Sequence, residues 1–234
     1  LRGWRYLIYV PRQTVQDMER QTDPVYEVHS IESGSMSING LGDHPLWNEA
    51  NRLSDFVYPW NEGDPPPMSF KALHDPDWIY GLYRVRDADA LNLSMEENLK
   101  AAVLKSDRVE IFLRSDEHMN PYFGLEMDPL GRTYDFEASL YRKFNAGWSW
   151  PKDQLMVKGD LSEAGYTLEF ALGKPLLNKL NLLKKNKLQA GLFRGKCISL
   201  KDEIAEFKWI SWVKPDSASA DFHIPSSFGE LMLL

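Results

Sequence analysis

Asp107-Arg-Val-Glu-Ile-Phe-Leu-Arg114 is followed, after a short polar loop, by Pro121-Tyr-Phe-Gly-Leu-Glu-Met-Asp128 and the turn Pro129-Leu-Gly131. Both segments alternate with a period of two. Val109, Ile111 and Leu113 point one way, and Glu110, Phe112 and Arg114 point the other. In the second segment Phe123, Leu125 and Met127 oppose Tyr122, Gly124 and Glu126. Paired as a hairpin, the strands must bring their apolar faces together, because a one-residue slip would turn a buried face to water. That register sets Glu110 opposite Glu126, with Cβ atoms roughly 5 Å apart. Two carboxylates on an aromatic-bearing face suit a cation, a sugar hydroxyl or a shared proton.

The same alternation recurs on either side. It predicts strands at 5–10, 25–32, 69–73, 78–85, 133–140, 155–158, 166–172, 187–193, 207–213 and 230–234. Residues 13–23 read as a short helix or an irregular lead-in. Short helices are expected around Trp47, at 94–104 and at 174–183. Pro65-Pro-Pro67 is a stiff break, and 145–151 is a loop carrying Trp148 and Trp150. Many short strands separated by turns predict an all-β chain folded as an antiparallel β-sandwich, with short helices in the connections. No linker divides residues 1–234, so one domain is expected.

With 234 residues the chain can bury a core without disulfide staples. Its net charge is -7, and its one basic run is Lys184-Lys185 with Lys187, which argues against a nucleic-acid partner. No apolar run is long enough to span a bilayer. The single cysteine, Cys197, has no internal disulfide partner and reads as a small buried side chain. The first residue is Leu1, so a signal peptide is expected to have been removed, with an extracellular, periplasmic or cell-surface location. The five histidines lack zinc spacing, and neither a Gly-rich phosphate loop nor a Gly-x-Ser-x-Gly elbow is present.

Six segments in order carry a resemblance. They are Trp47 with the apolar run to Phe56, Phe70-Lys-Ala-Leu-His-Asp75, Ile79-Tyr-Gly-Leu-Tyr-Arg-Val-Arg-Asp87, Asp107-Arg-Val-Glu-Ile-Phe112, Tyr166-Thr-Leu-Glu-Phe-Ala171 and Pro225-Ser-Ser-Phe-Gly-Glu-Leu231. Together they resemble the family 9 carbohydrate-binding modules over 47–234, leaving 1–46 as an N-terminal extension. The resemblance implies a jelly-roll-like sandwich from a secreted bacterial system. It also implies non-catalytic binding of a glycan such as xylan, in support of polysaccharide recognition or degradation. Such modules hold a sugar ring between two tryptophans and are supported by calcium. Glu110 matches an acidic residue of the family's binding face. Leu104 and Phe222 stand where the two tryptophans would be, and Gly124 and Glu126 replace an arginine and an asparagine.

The candidate ligand-binding residues are Glu110, Glu126, Arg194, Trp148, Trp150, Phe222 and His223. Glu110 either meets a ligand or pairs with Arg114 or Arg194 across the sheet. Trp148 and Trp150 lie two apart, so they share a face, either as a sugar platform or as loop anchors. Phe222 offers a platform; His223 is a hydroxyl partner or a structural histidine. Asp87, Asp89 and Asp107 are the candidate calcium ligands, with solvated turns as the alternative. Asp75, Asp77, Asp128 and Asp135 read as turn formers. Three other functions stay open: a glycoside hydrolase using Glu110 and Glu126, a surface-assembly module with a degenerate sugar site, and a haem site through Met127 or His223.

Overall fold

A computed structural model describes residues 23–92, 99–145 and 147–234. The expected strand at 5–10, most of the lead-in at 13–23 and the first turn of the expected helix at 94–104 lie outside the described residues. The strands are β1 (Val25–Ser30), β2 (Met68–His74), β3 (Trp78–Val85), β4 (Arg108–Arg114), β5 (Tyr122–Met127) and β6 (Thr133–Ser139). They continue with β7 (Lys143–Asn145), β8 (Leu155–Ser162), β9 (Gly165–Gly173), β10 (Lys187–Lys201), β11 (Ile204–Ser211) and β12 (Gly229–Leu233). The helices α1 (Leu99–Lys105) and α2 (Lys174–Lys179) sit in connections. One feature was not expected from the alternation: β7 is a short edge strand. The stretch around Cys197, itself expected to be strand, is continuous with the 187–193 strand, and the resulting β10 forms a long hairpin with β11.

The strands form a β-sandwich. One sheet runs β7-β6-β5-β4-β10-β12-β1, with β11 also paired to β10, and the other runs β2-β3-β9-β8. Every pairing is antiparallel except at β1, which lies parallel to both β12 and β2 and so joins the two sheets. A parallel pair needs a long connection, and residues 31–67 supply it between β1 and β2. The described part of the expected N-terminal extension is thus built into the sandwich. Residues after β1 also cover the outer face of β2 and β3. There Trp47 and Met36 pack on Leu73, Tyr80 and Leu82, and the Trp47 indole donates to Glu169 Oε1 at 2.7 Å.

The main core lies between the sheets. Phe70, Tyr83 and Phe170 from one sheet meet Ile111, Leu125 and Leu192 from the other. These are the inward-facing members of each alternation. Removing such side chains from water is the principal stabilising term. Among the described residues no helix is long and apolar enough to cross a membrane.

Candidate functional site

β4 and β5 pair in the register read from the hairpin, with Glu110 opposite Glu126, Phe112 opposite Gly124 and Arg114 opposite Tyr122. This face points away from the main core, yet Glu110 is only 2% exposed and Glu126 6%. A second apolar layer buries it: Phe112, Tyr122, Phe136, Phe193, Phe222 and Phe228 pack together there, with Trp60 and Trp209 against them. Glycine makes the layer possible. A Cβ on Gly124 would lie 2.1 Å from the Phe136 ring, so only glycine leaves room for that ring over β5.

Arg108 lies two residues before Glu110 and therefore on the same face. Its Nε stands 2.9 Å from Glu110 Oε1 and 2.6 Å from Glu126 Oε2. The guanidinium is 4.7 Å from the Phe207 ring centroid and 5.3 Å from that of Trp209. Burial raises the pKa of both glutamates. The neighbouring Glu126 charge raises Glu110 further, and Arg108 offsets only part of this. The pair therefore favours holding a proton above the usual carboxylate range.

Around this trio is a cavity of about 180 Å³. Trp60, Trp209 and Phe222 are its aromatic walls, and Arg142, Asp221 and His223 line it together with the trio, Phe112 and Ala220. Phe222 stacks on Phe193 with centroids 4.0 Å apart, and Trp209 stands at 89° to it. The walls thus form a corner rather than two parallel plates. Arg142 bonds Asp221 at 3.0 Å and Tyr141 donates to the same carboxylate at 2.8 Å. Burial would raise the Asp221 pKa, but these donors and the His223 amide outweigh it and lower it. His223 shares a 2.9 Å hydrogen bond with Tyr122. Burial, then the Arg142 charge, lowers its pKa to about 4 and keeps the ring neutral.

Of the residues expected at the site, Glu110, Glu126, Phe222 and His223 converge on this cavity. Arg194 does not. It pairs with Val109's position on β4 and points into the sandwich, fully buried. Its Nε and NH2 reach the two oxygens of Asp107 at 3.0 and 2.8 Å, and NH2 reaches Asp87 at 2.7 Å. Tyr166 donates to Asp107 at 2.7 Å. Trp148 and Trp150 also lie on the inner side, both packed against Phe123. Trp150 is buried and donates to Gln154 O, so the pair anchors its loop.

Asp87, Asp89 and Asp107 do not fit calcium. Arg194 holds both oxygens of Asp107, and Arg194 and Lys196 meet Asp87 Oδ2. The remaining Asp87 oxygen accepts the amide of Asp89, whose own side chain is exposed. A divalent cation there would sit against a guanidinium. Among the described residues no group of three or more His, Cys, Asp or Glu side chains is placed to hold a metal. Met127 lies in the main core, whereas His223 lines the cavity on the outer face.

Sequence reasoning missed Trp60, Arg108, Arg142, Trp209 and Asp221. Arg108 was legible, since a period of two puts it beside Glu110. Trp209 belongs to an alternating strand, but its proximity to Glu110 depends on β11 pairing with β10. Trp60 and Asp221 come from loops with no local signal.

The carbohydrate family 9 binding domain-like family matches residues 38–234. No curated protein sequence matches the chain significantly. Among solved structures, a proposed carbohydrate-binding protein from Bacteroides uniformis is similar, with a TM-score of 0.67 and 17% identity over 91% of this chain and 100% of that one. A family 9 carbohydrate-binding module from Caldicellulosiruptor kristjanssonii in complex with glucose has a TM-score of 0.58 and 20% identity, over 90% of this chain and 96% of that one. Its complex with cellotriose gives 0.57 and 18%, over 90% and 93%. At these identities the structural likeness is one of fold.

Proposed function

This chain belongs to the carbohydrate family 9 binding domain-like family, and we propose that it binds a sugar ring without chemistry in the cavity beside Glu110 and Glu126. One observation carries the reading: apolar ring faces and buried hydrogen-bonding groups converge in a single small cavity. Trp209, Trp60 and Phe222 offer surfaces to sugar C–H groups, and the trio of Arg108, Glu110 and Glu126 offers hydroxyl partners. At about 180 Å³ the cavity is smaller than the roughly 300 Å³ at the low end for drug-sized ligands, which suits one ring or a chain end. Affinity is modest, because each sugar hydrogen bond replaces one to water. The module holds a polysaccharide outside the cell for recognition or degradation by other machinery.

A hydrolase reading gains from the proton held on the glutamate pair. It loses more from Arg108, whose Nε lies within 2.9 Å of both carboxylates, where a glycosidic bond would have to enter. Calorimetric titration with glucose, cellotriose and xylotriose tests the proposal, run on the wild type and on Trp209→Ala. Binding that weakens in the variant is the expected result. No binding by the wild type at millimolar sugar, or equal binding by the variant, overturns it. Oligosaccharide cleavage that disappears in Glu110→Gln would instead establish the hydrolase.

A further inference from the structure

We infer that the outer face of β2 and β3, on the opposite sheet from the sugar cavity, carries a second binding site, for an oxoanion. A cleft of about 260 Å³ there is lined by Arg52, Lys71, Arg84 and Arg86, together with Pro67, Met68 and Ser69. Its lining contains four cationic side chains and no carboxylate, on a chain whose net charge is -7.

The sheet register puts the four together. Ser69 pairs with Arg84, and the Arg86 amide donates to Pro67 O at 2.9 Å. Ser69 and Lys71 therefore share the outer face of β2, while Arg84 and Arg86 share that of β3 and its extension. An isolated antiparallel bridge between Leu53 and Phe70 brings Arg52 alongside Lys71. The inner members of the same strands, Met68, Phe70, Tyr83 and Val85, are in the main core. The cations cannot turn inward to reach a partner.

Several cations elsewhere among the described residues meet carboxylates, as in Arg142–Asp221, Lys187–Glu230 and Arg194–Asp107. In the cleft the side-chain partners are backbone carbonyls. Lys71 Nζ donates to Trp47 O at 2.5 Å, and Arg84 donates to Gly42 O. These bonds fix the head groups without cancelling their charge. Lys71 registers the result: burial first, then Arg84 and Arg52, lower its pKa, and no acid appears among the causes. Like charges held together this way cost stability, and an anion bound among them relieves that cost. Arginine forks suit the planar or tetrahedral oxygens of a carboxylate, sulfate or phosphate. The buried Ser69 hydroxyl adds a neutral donor.

The site does not depend on the sugar reading. The test uses trigalacturonate, a chondroitin sulfate disaccharide and inorganic phosphate, each titrated by calorimetry against the full chain at 20 and 200 mM salt. The expected result is binding of at least one, weaker by about tenfold at the higher salt because exposed charges are screened within about 10 Å at 0.1 M. Arg52→Gln with Arg86→Gln weakens it by about tenfold or more, while Arg52→Lys with Arg86→Lys retains part of it. Tight binding of a saccharide but not phosphate identifies an acidic glycan as the source; the reverse identifies a free oxoanion. Both exposed arginines can be replaced without disturbing a core contact. Should the double glutamine variant fail to fold, amide shift changes in the wild type decide the question. Movement at Ser69, Lys71 and Arg84 supports the site. Absence of binding by all three probes, equal affinity in the glutamine variant, or shifts confined to other regions overturns it.

Discussion

Glu110 and Glu126 stand directly opposite one another on β4 and β5, and the same Arg108 Nε lies within 2.9 Å of a carboxylate oxygen of each. Two buried carboxylates on one guanidinium leave a net negative charge in a poorly solvated place, and the pair answers by holding a proton. The arrangement turns a sheet face that would ordinarily be solvated into a polar floor beneath aromatic walls.

The proton has a thermodynamic signature. Burial, then Glu126, raises the Glu110 pKa from 4.5 to about 8. The folded state therefore binds a proton that the unfolded chain has released, so this group's stabilising contribution is complete below pH 4.5 and is lost as pH rises toward 8. Thermal unfolding of the wild type and Glu110→Gln at pH 5, 6, 7 and 8 should show a steeper fall in Tm with pH for the wild type. Parallel curves would refute the shared proton.

Trp209 and Trp150 separate binding from stability. Trp209→Ala removes a cavity wall and should weaken sugar binding by about tenfold, as loss of an aromatic anchor does. Trp150→Ala opens a hole in the main core and should cost about 3–5 kcal/mol of stability. Its sugar affinity should stay at the wild-type value. Calorimetry and urea unfolding on both variants check this, and the reverse pattern would move the binding site to the 145–151 loop.

Asp107→Ala removes two of the three carboxylate contacts of a fully buried Arg194 and leaves it Asp87 alone, and breaking such a pair costs about 3–5 kcal/mol. Asp89→Ala alters an exposed side chain and should change stability by less than about 0.5 kcal/mol. Because Arg194 and Lys196 occupy the Asp87 and Asp107 carboxylates, both values should be the same with calcium or with a chelator. Urea midpoints under the two conditions measure this. A calcium-dependent loss in Asp107→Ala would restore the aspartates as metal ligands.

Gly124→Ala is a small change with a large steric consequence. The added methyl carbon would lie 2.1 Å from the Phe136 ring. Displacing that ring should cost about 1–3 kcal/mol, in the range of overpacked cores. It should also weaken sugar binding, since Phe136 packs against Phe112 and His223, which line the cavity. Full stability in denaturant titration would show that the aromatic layer yields more readily than its packing implies.

The alternation in 107–128 was sufficient to set the hairpin, its register and the meeting of Glu110 with Glu126. Period-two patterning is local, and an error of one residue would expose an entire apolar face. The same reasoning gave most strands and the sandwich class. It also separated Val109 from Glu110 by face, which is why Arg108 was within its reach.

The rest required the folded chain. Arg194 reads as a ligand or a partner of Glu110 when its strand is ended at residue 193. Continuing the alternation from Ala190 and Leu192 puts it on the core face, but only the folded chain brings Asp107 and Asp87 to it there. Trp148 and Trp150 share a face as their spacing demands, and only packing against Phe123 decides that this face is the core. Trp60, Trp209 and Asp221 join Glu110 across separations of 50 to 111 residues. Strand periodicity fixes which side of its own strand a residue occupies, because that follows from backbone geometry over two or three residues. Which strands become neighbours, and which loops close over them, depends on long-range burial shared by the whole chain; the sugar cavity and the cationic cleft both arise at that level.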